Sequence, residues 1–153
     1  MDDTTSPDRF DAQRIALLAA RGRLGLGLAA VVFPGLVARA MLTDDVSAGT
    51  RALGRLVGIR DFVIGAATVM SIKDGSRPEN WVGMSALIDM ADGVVSLVSP
   101  GASRRARLVG VPLAFASGAL HLRLARALAD ASLDEERARL EGPSSEADAD
   151  DAS

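Results

Sequence analysis

The feature that most constrains this chain is a pair of adjacent charges, Arg60 and Asp61, in the middle of a mostly apolar segment from Leu53 to Ile72. A segment of this length and composition is typical of a helix surrounded by apolar material rather than of a surface helix. Neighbours in sequence lie roughly 100° apart around a helix and do not face each other. We therefore expect the two side chains to find separate partners on other helices.

The same segment carries a face of small residues. Helical spacing places four residues on one side of the helix, namely Gly54, Gly58, Asp61 and Gly65. Small residues at this spacing allow the backbone of a second helix to approach closely, as in helix packing within lipid. The three glycines are therefore predicted helix-packing positions.

The composition favours an all-α fold and excludes several functions. Hydrophobic residues make up 48% of the chain but aromatic residues only 3%, whereas strands favour aromatic and β-branched side chains. The absence of cysteine excludes disulfides and thiolate chemistry. The net charge of -3 provides no basic surface for nucleic acid. No catalytic or nucleotide-binding motif occurs in a suitable context, so we expect no cofactor, no metal and no enzymatic activity.

Turn and helix signals divide the chain into three parts. We predict a polar N-terminal segment over 1–12, a four-helix bundle over 13–128, and an acidic C-terminal tail over 129–153 with a short helix at about 133–141. The four bundle helices are expected at about 13–42, 52–72, 80–98 and 105–128. Pro34 is expected to kink the first helix, and Ser47 or Thr50 to cap the second.

The predicted helices are apolar nearly all round, and four of them are too few to bury one another on every side. We therefore predict a transmembrane bundle in a lipid bilayer; the alternative is a soluble bundle that dimerises. Arg39 and Trp81 are predicted interfacial anchors. Four spans place both termini on one side, which holds ten basic residues against six on the other, with Arg60 counted on neither. This distribution favours the inner membrane with cytoplasmic termini.

Helix register predicts a central layer of charges. If the second and third helices are antiparallel and turn at the Lys73 loop, Arg60 lies level with Asp92, and Asp89 lies one turn away on the same face. The same reasoning on the preceding turn brings Pro34 close to Asp61. The predicted buried charge network consists of Arg60, Asp61, Asp89 and Asp92, together with the carbonyl groups of Ala30 and Leu108 that prolines leave free.

Three carboxylates against one arginine do not balance. Either one or two of the aspartates are protonated, or water or a cation reaches them. The network then serves as a proton or cation relay, as a polar substrate pocket, or only as an ion-pair system that fixes helix register. His121, the only histidine, is expected to be a satisfied or interfacial side chain rather than a ligand.

A longer pattern surrounds the charged pair. Arg55, Gly58, Arg60, Asp61 and Gly65 form the pattern Arg-x-x-Gly-x-Arg-Asp-x-x-x-Gly, which is followed by Trp81 and by a helix with Asp89-x-x-Asp92. With Pro34 and Arg39, this resembles a family of small, uncharacterised four-helix membrane proteins common in high-GC bacteria. The resemblance covers roughly residues 21–128. It implies the fold and the membrane location, and it implies no reaction.

Three functions remain open from the sequence. The first is a non-enzymatic membrane component, structural or partner-binding, which acts alone, as a homo-oligomer or with another membrane protein. The second is a small transporter of protons, cations or solutes that uses Asp61, Asp89 and Asp92. The third is a membrane redox or lipid enzyme. The soluble, dimerising helical bundle remains the alternative to a membrane protein.

Overall fold

The computed structural model describes residues 7–41 and 46–141, and this part of the chain is helical apart from short turns, with no strand. The all-α prediction is therefore confirmed. In chain order the elements are α1 (Pro7–Val32), α2 (Pro34–Met41), α3 (Ala48–Asp74), α4 (Pro78–Val98), a π-helical turn (Ala106–Gly110) and α5 (Val111–Glu141).

The first predicted helix is in fact two helices. α1 begins at Pro7 rather than near Gln13, because proline is favoured at the first helical position. The helix breaks at Phe33, whose N–H still donates to the carbonyl of Ala29 at 2.7 Å. Pro34 has no N–H to continue that ladder and instead starts α2. Half of the predicted polar segment over 1–12, residues 7–12, is thus helical, and residues 1–6 lie outside the described residues.

The C-terminal part also differs from the prediction. The fourth helix does not end at about residue 128, and no separate helix begins near 133, because α5 is continuous to Glu141. Ser132 does not cap a new helix; its hydroxyl donates to the carbonyl of Ala129 within α5 at 2.8 Å. The predicted acidic tail beyond residue 141 lies outside the described residues.

The turns at the ends of α3 follow local chemistry. Ser47 is the N-cap, as predicted, and its Oγ accepts from the N–H of Thr50 at 3.1 Å. Gly75 closes the helix at φ 67°, a left-handed conformation that glycine adopts at little cost. The loop between Asp74 and Pro78 is shorter than the gap between the helices predicted at about 52–72 and 80–98. Residues 42–45, between α2 and the N-cap of α3, lie outside the described residues.

The helices form two closely packed antiparallel pairs, α1 with α3 and α4 with α5. In the first pair, a Cβ added at Gly58 would lie 2.7 Å from the carbonyl oxygen of Gly27, and one at Gly65 would lie 2.8 Å from that of Ala20. Gly54 faces Pro34 of α2 in the same way, at 3.4 Å. The predicted small face of α3 is thus the surface against which α1 and α2 pack.

Contacts between the two pairs are sparser, and they form an apolar core at one end of the bundle. This end is where α3 passes into α4. The core cluster consists of Ala12, Ala16, Val82, Leu124, Ala125 and Leu128, with Ile72 and Ala127 packed against it.

The outer surface is strongly apolar. Large side chains with more than half of their surface exposed occur on all the long helices, among them Leu18, Leu56, Leu87 and Leu113. Within residues 7–41 and 46–141, three helical segments could cross a membrane by length and composition, namely Phe10–Val32, Pro78–Val98 and Ala106–Glu141. Such surfaces on a monomer indicate contact with lipid or with another protein.

The close approach of α1 and α3 can be tested with a pair of glycine substitutions. Gly58→Ala should lower the free energy of unfolding by about 1–3 kcal/mol, because its Cβ has no room against the backbone of α1. Gly25→Ala on α1 is the control, since a Cβ there meets nothing within 4 Å. It should leave stability unchanged or raise it by up to about 1 kcal/mol. Equilibrium unfolding in mixed micelles measures both, and equal effects would contradict the packing.

Candidate functional site

A cluster of charged and polar side chains lies halfway along the bundle, at the seam between the two helix pairs. We call it the central charge network. Its members are Arg23 from α1, Arg60 and Asp61 from α3, Asp89 and Asp92 from α4, and Ser117 and His121 from α5.

The link between α3 and α4 is a bidentate ion pair. Arg60 donates through Nη1 to Oδ1 of Asp92 at 2.8 Å and through Nη2 to Oδ2 at 2.6 Å. Such paired, charge-assisted bonds are among the strongest in proteins. The structure thus brings together the two residues that helix register placed at one level.

Arg60 also contacts its neighbour in sequence, although adjacent residues on a helix were not expected to face each other. Its Nε and Nη2 lie 3.2 Å and 3.1 Å from Oδ1 of Asp61. The expected separate partners on other helices are present as well, Asp92 for Arg60 and Arg23 for Asp61. The guanidinium stands at the end of a long, flexible side chain, so it bridges Asp61 and Asp92 at once.

Arg23 is the network residue that sequence reasoning missed. Its Nη1 donates to Oδ1 of Asp61 at 3.3 Å, its Nη2 donates to Oδ1 of Asp89, and only 10% of its side chain is exposed. The register argument had placed Pro34 level with Asp61, whereas Pro34 packs on Gly54. α3 begins at Ala48 rather than at about residue 52, so Asp61 lies further from the start of the helix than predicted and meets an earlier part of α1, at Arg23.

The other side of Asp89 is held by α5. Ser117 Oγ donates to Oδ2 of Asp89 at 2.7 Å, and His121 Nδ1 lies 3.0 Å from the same oxygen. His121 Nδ1 also lies 3.0 Å from the carbonyl oxygen of Ser117. Both oxygens are acceptors, so Nδ1 carries a hydrogen. His121 is buried and partnered, and Asp89 therefore ties α1 to α5.

The charges come much closer to balance than the sequence indicated. Two arginines face the three carboxylates, so with a neutral His121 the network has one negative charge in excess. In the described part of the chain, no fully buried side-chain nitrogen or oxygen lacks a hydrogen-bond partner. The carbonyl groups of Ala30 and Leu108 accept no hydrogen bond from the described network side chains.

A cavity of about 400 Å³ adjoins the network, on the side away from the apolar core. Arg23, Asp61, Asp89, Asp92, Ser117 and His121 line its polar part. Its remaining walls are mostly small or aliphatic side chains, including Ala19, Leu26, Val37, Val57, Leu113 and Ala114. Cavities of this size, with apolar walls and a few polar groups, are typical of small-molecule sites.

The other predicted site residues lie away from the network. Arg39 is exposed on α2, and Trp81 is 39% exposed in the first turn of α4. Within residues 7–41 and 46–141, no group of three or more histidine or acidic side chains is arranged to hold a metal ion.

Comparisons with protein-family models, with curated proteins and with solved structures give no match for this chain. The fold and surface define only a class: a protein whose described residues are helical apart from turns, with three helices there long and apolar enough to cross a membrane.

The Arg60–Asp92 pair can be tested by charge exchange. Arg60→Asp or Asp92→Arg alone should lower the free energy of unfolding by about 1–3 kcal/mol, since each leaves two like charges together. The double exchange should recover part of this loss, because it restores opposite charges across the seam. Recovery is incomplete because an aspartate at position 60 adjoins Asp61. Unfolding in mixed micelles that shows no recovery would mean that the two residues are not partners.

Asp89 should matter more for stability than Asp92. Its side chain is 10% exposed, against 43% for Asp92, and it joins α1, α4 and α5. Asp89→Asn should cost about 3–5 kcal/mol, because it leaves Arg23 short of a counter-charge at a buried position. Asp134→Asn, on the exposed end of α5, is the control and should change stability by less than about 0.5 kcal/mol. If Asp89→Asn and Asp134→Asn changed the free energy of unfolding equally, the network would not be structural.

Proposed function

We propose that this protein is a multi-pass protein of the bacterial inner membrane with both termini in the cytoplasm. It acts as a non-enzymatic structural or partner-binding component. The single observation that carries the proposal is the exposed apolar surface of helices that span the required length. Lipid covers such a surface without the penalty that water imposes.

α3 is the fourth span in this proposal. It is not among the three segments that are apolar enough to cross a membrane by composition alone, because charged residues that include Arg55, Arg60 and Asp61 fall within it. Two of these residues are paired within the central charge network, and the glycine face packs directly on α1. A helix whose charges are neutralised by its neighbours crosses lipid at a lower cost than its composition indicates. This arrangement agrees with the resemblance to small four-helix membrane proteins of high-GC bacteria.

The structural role rests on where the network lies. α1 with α3 and α4 with α5 are each packed through glycines, but few apolar contacts join the two pairs around the network. The ion pairs of Arg23 and Arg60 cross that seam. Their function is then to hold the pairs in one register, while the outer apolar surface is free for lipid, a second copy or a partner helix.

Membrane extraction tests the proposal. The protein should remain in the membrane fraction after washes with high salt and with alkaline carbonate, and it should require detergent for release. Reporter fusions at the two ends should both give the cytoplasmic signal. A purified chain that stays dissolved and monodisperse without detergent would contradict the membrane location and favour the soluble dimer.

Transport of a proton, a cation or a solute is the second candidate. The observation in its favour is that the cavity reaches Asp61, Asp89 and Asp92. In reconstituted vesicles, Asp61→Asn or Asp89→Asn should then abolish flux, whereas Asp74→Asn on the exposed end of α3 should not. If neither change in the cavity alters proton or cation leak, transport through these groups is excluded.

A further inference from the structure

The three carboxylates of the central charge network differ in how many of their oxygen atoms accept hydrogen bonds. Asp92 uses both oxygens for Arg60, and Asp89 uses Oδ1 for Arg23 and Oδ2 for Ser117 and His121. Asp61 receives its bonds from both arginines on Oδ1. Its Oδ2 accepts no hydrogen bond from any described residue.

A second polar atom is also open. His121 Nδ1 is engaged with Asp89 and Ser117, while Nε2 has no hydrogen-bond partner among residues 7–41 and 46–141. Only 9% of this side chain is exposed. Since no fully enclosed polar atom in the described part lacks a partner, Asp61 Oδ2 and His121 Nε2 must both be reachable, and both residues line the cavity.

These atoms and the charge of the network define what the cavity can hold. Asp61 Oδ2 is an anionic acceptor, and His121 Nε2 is a neutral acceptor when Nδ1 carries the hydrogen. The network has one negative charge in excess, and apolar walls cover the rest of the cavity. The complementary molecule has a single positive charge with N–H donors and an apolar body.

We propose that the cavity binds one amphiphilic organic monocation, a primary ammonium with an apolar group, whose N–H donates to Asp61 Oδ2. The apolar group lies between α1, α3 and α5, against Leu26, Val57 and Leu113. The inference adds a ligand to the membrane component proposed above and rests on the same bundle. It applies whether the ligand is transported or only bound.

Other ligand classes fit less well. An anion would meet an excess of negative charge, and the guanidinium groups of Arg23 and Arg60 already donate to carboxylates. A divalent metal prefers several oxygen ligands, whereas both oxygens of Asp89 and of Asp92 are engaged. A neutral apolar molecule would leave the excess charge uncompensated in an apolar cavity.

Isothermal titration of the full chain in lipid nanodiscs with 2-phenylethylammonium tests the proposal. The matched probes are 2-phenylethanol, which lacks the charge, and 3-phenylpropanoate, which reverses it. The ammonium should bind at one site per chain and at least about tenfold more tightly than either probe.

Asp61→Asn should reduce affinity for the ammonium at least about tenfold, because it removes the free anionic oxygen. Asp74→Asn, on the same helix but exposed outside the cavity, should bind as the unaltered chain does. Circular dichroism and the elution volume in detergent verify that each variant is folded.

The proposal is overturned if the folded chain binds no ammonium, binds 2-phenylethanol equally well, or keeps its affinity in Asp61→Asn. Membrane extraction uses no ligand, so these results leave the proposed membrane location standing. A chain that is soluble without detergent would instead remove the membrane role alone.

Discussion

Electrostatic attraction among two arginines and three aspartates is the interaction on which the arrangement of this bundle depends. Glycine contacts hold α1 against α3 and α4 against α5, but around the network the two pairs share few apolar contacts. Arg60 joins α3 to α4, and Arg23 joins α1 to α4. In surroundings of low dielectric constant, separating these groups would leave charges without partners, at a cost of several kcal/mol. The pairs therefore stay in register although little apolar surface holds them together.

The cavity arises because apolar packing and ion pairs join the two helix pairs at different heights of the bundle. Apolar packing between the pairs is concentrated at the end of the bundle near Ile72 and Val82, and the network lies at mid-height. The residues that line the cavity include Ala19, Gly22 and Gly110, whose side chains are too small to fill the space between the pairs. A composition rich in small residues thus permits close packing within each pair and leaves a void between them.

Counting residues along antiparallel helices predicted the correct contacts only where the connection between the two helices is short. α3 and α4 are joined by a tight turn at Gly75, so counting residues from that turn places Arg60 beside Asp92. Between α1 and α3 the chain passes through the break at Phe33 and through α2, and the same counting brought the wrong part of α1 to Asp61. Arg23 was missed for this reason. Its sequence context did not identify it either, because an arginine within an apolar helix can lie at the membrane surface as well as in a buried network.

The sequence left two roles for the aspartates as alternatives, a network that fixes helix positions and a site that binds a ligand. The two roles are distinguished by which carboxylate oxygens accept hydrogen bonds. A carboxylate whose oxygens are both held by arginine, serine or histidine, as in Asp89 and Asp92, contributes to register and has little capacity for a further partner. Asp61 is held firmly through Oδ1 and keeps Oδ2 open to the cavity. A network that fixes helix positions and a site that takes a ligand are therefore compatible, because different oxygens serve each. A purely structural network does not require an excess of one negative charge. In the proposed site, this charge at Asp61 binds the ammonium group of the ligand.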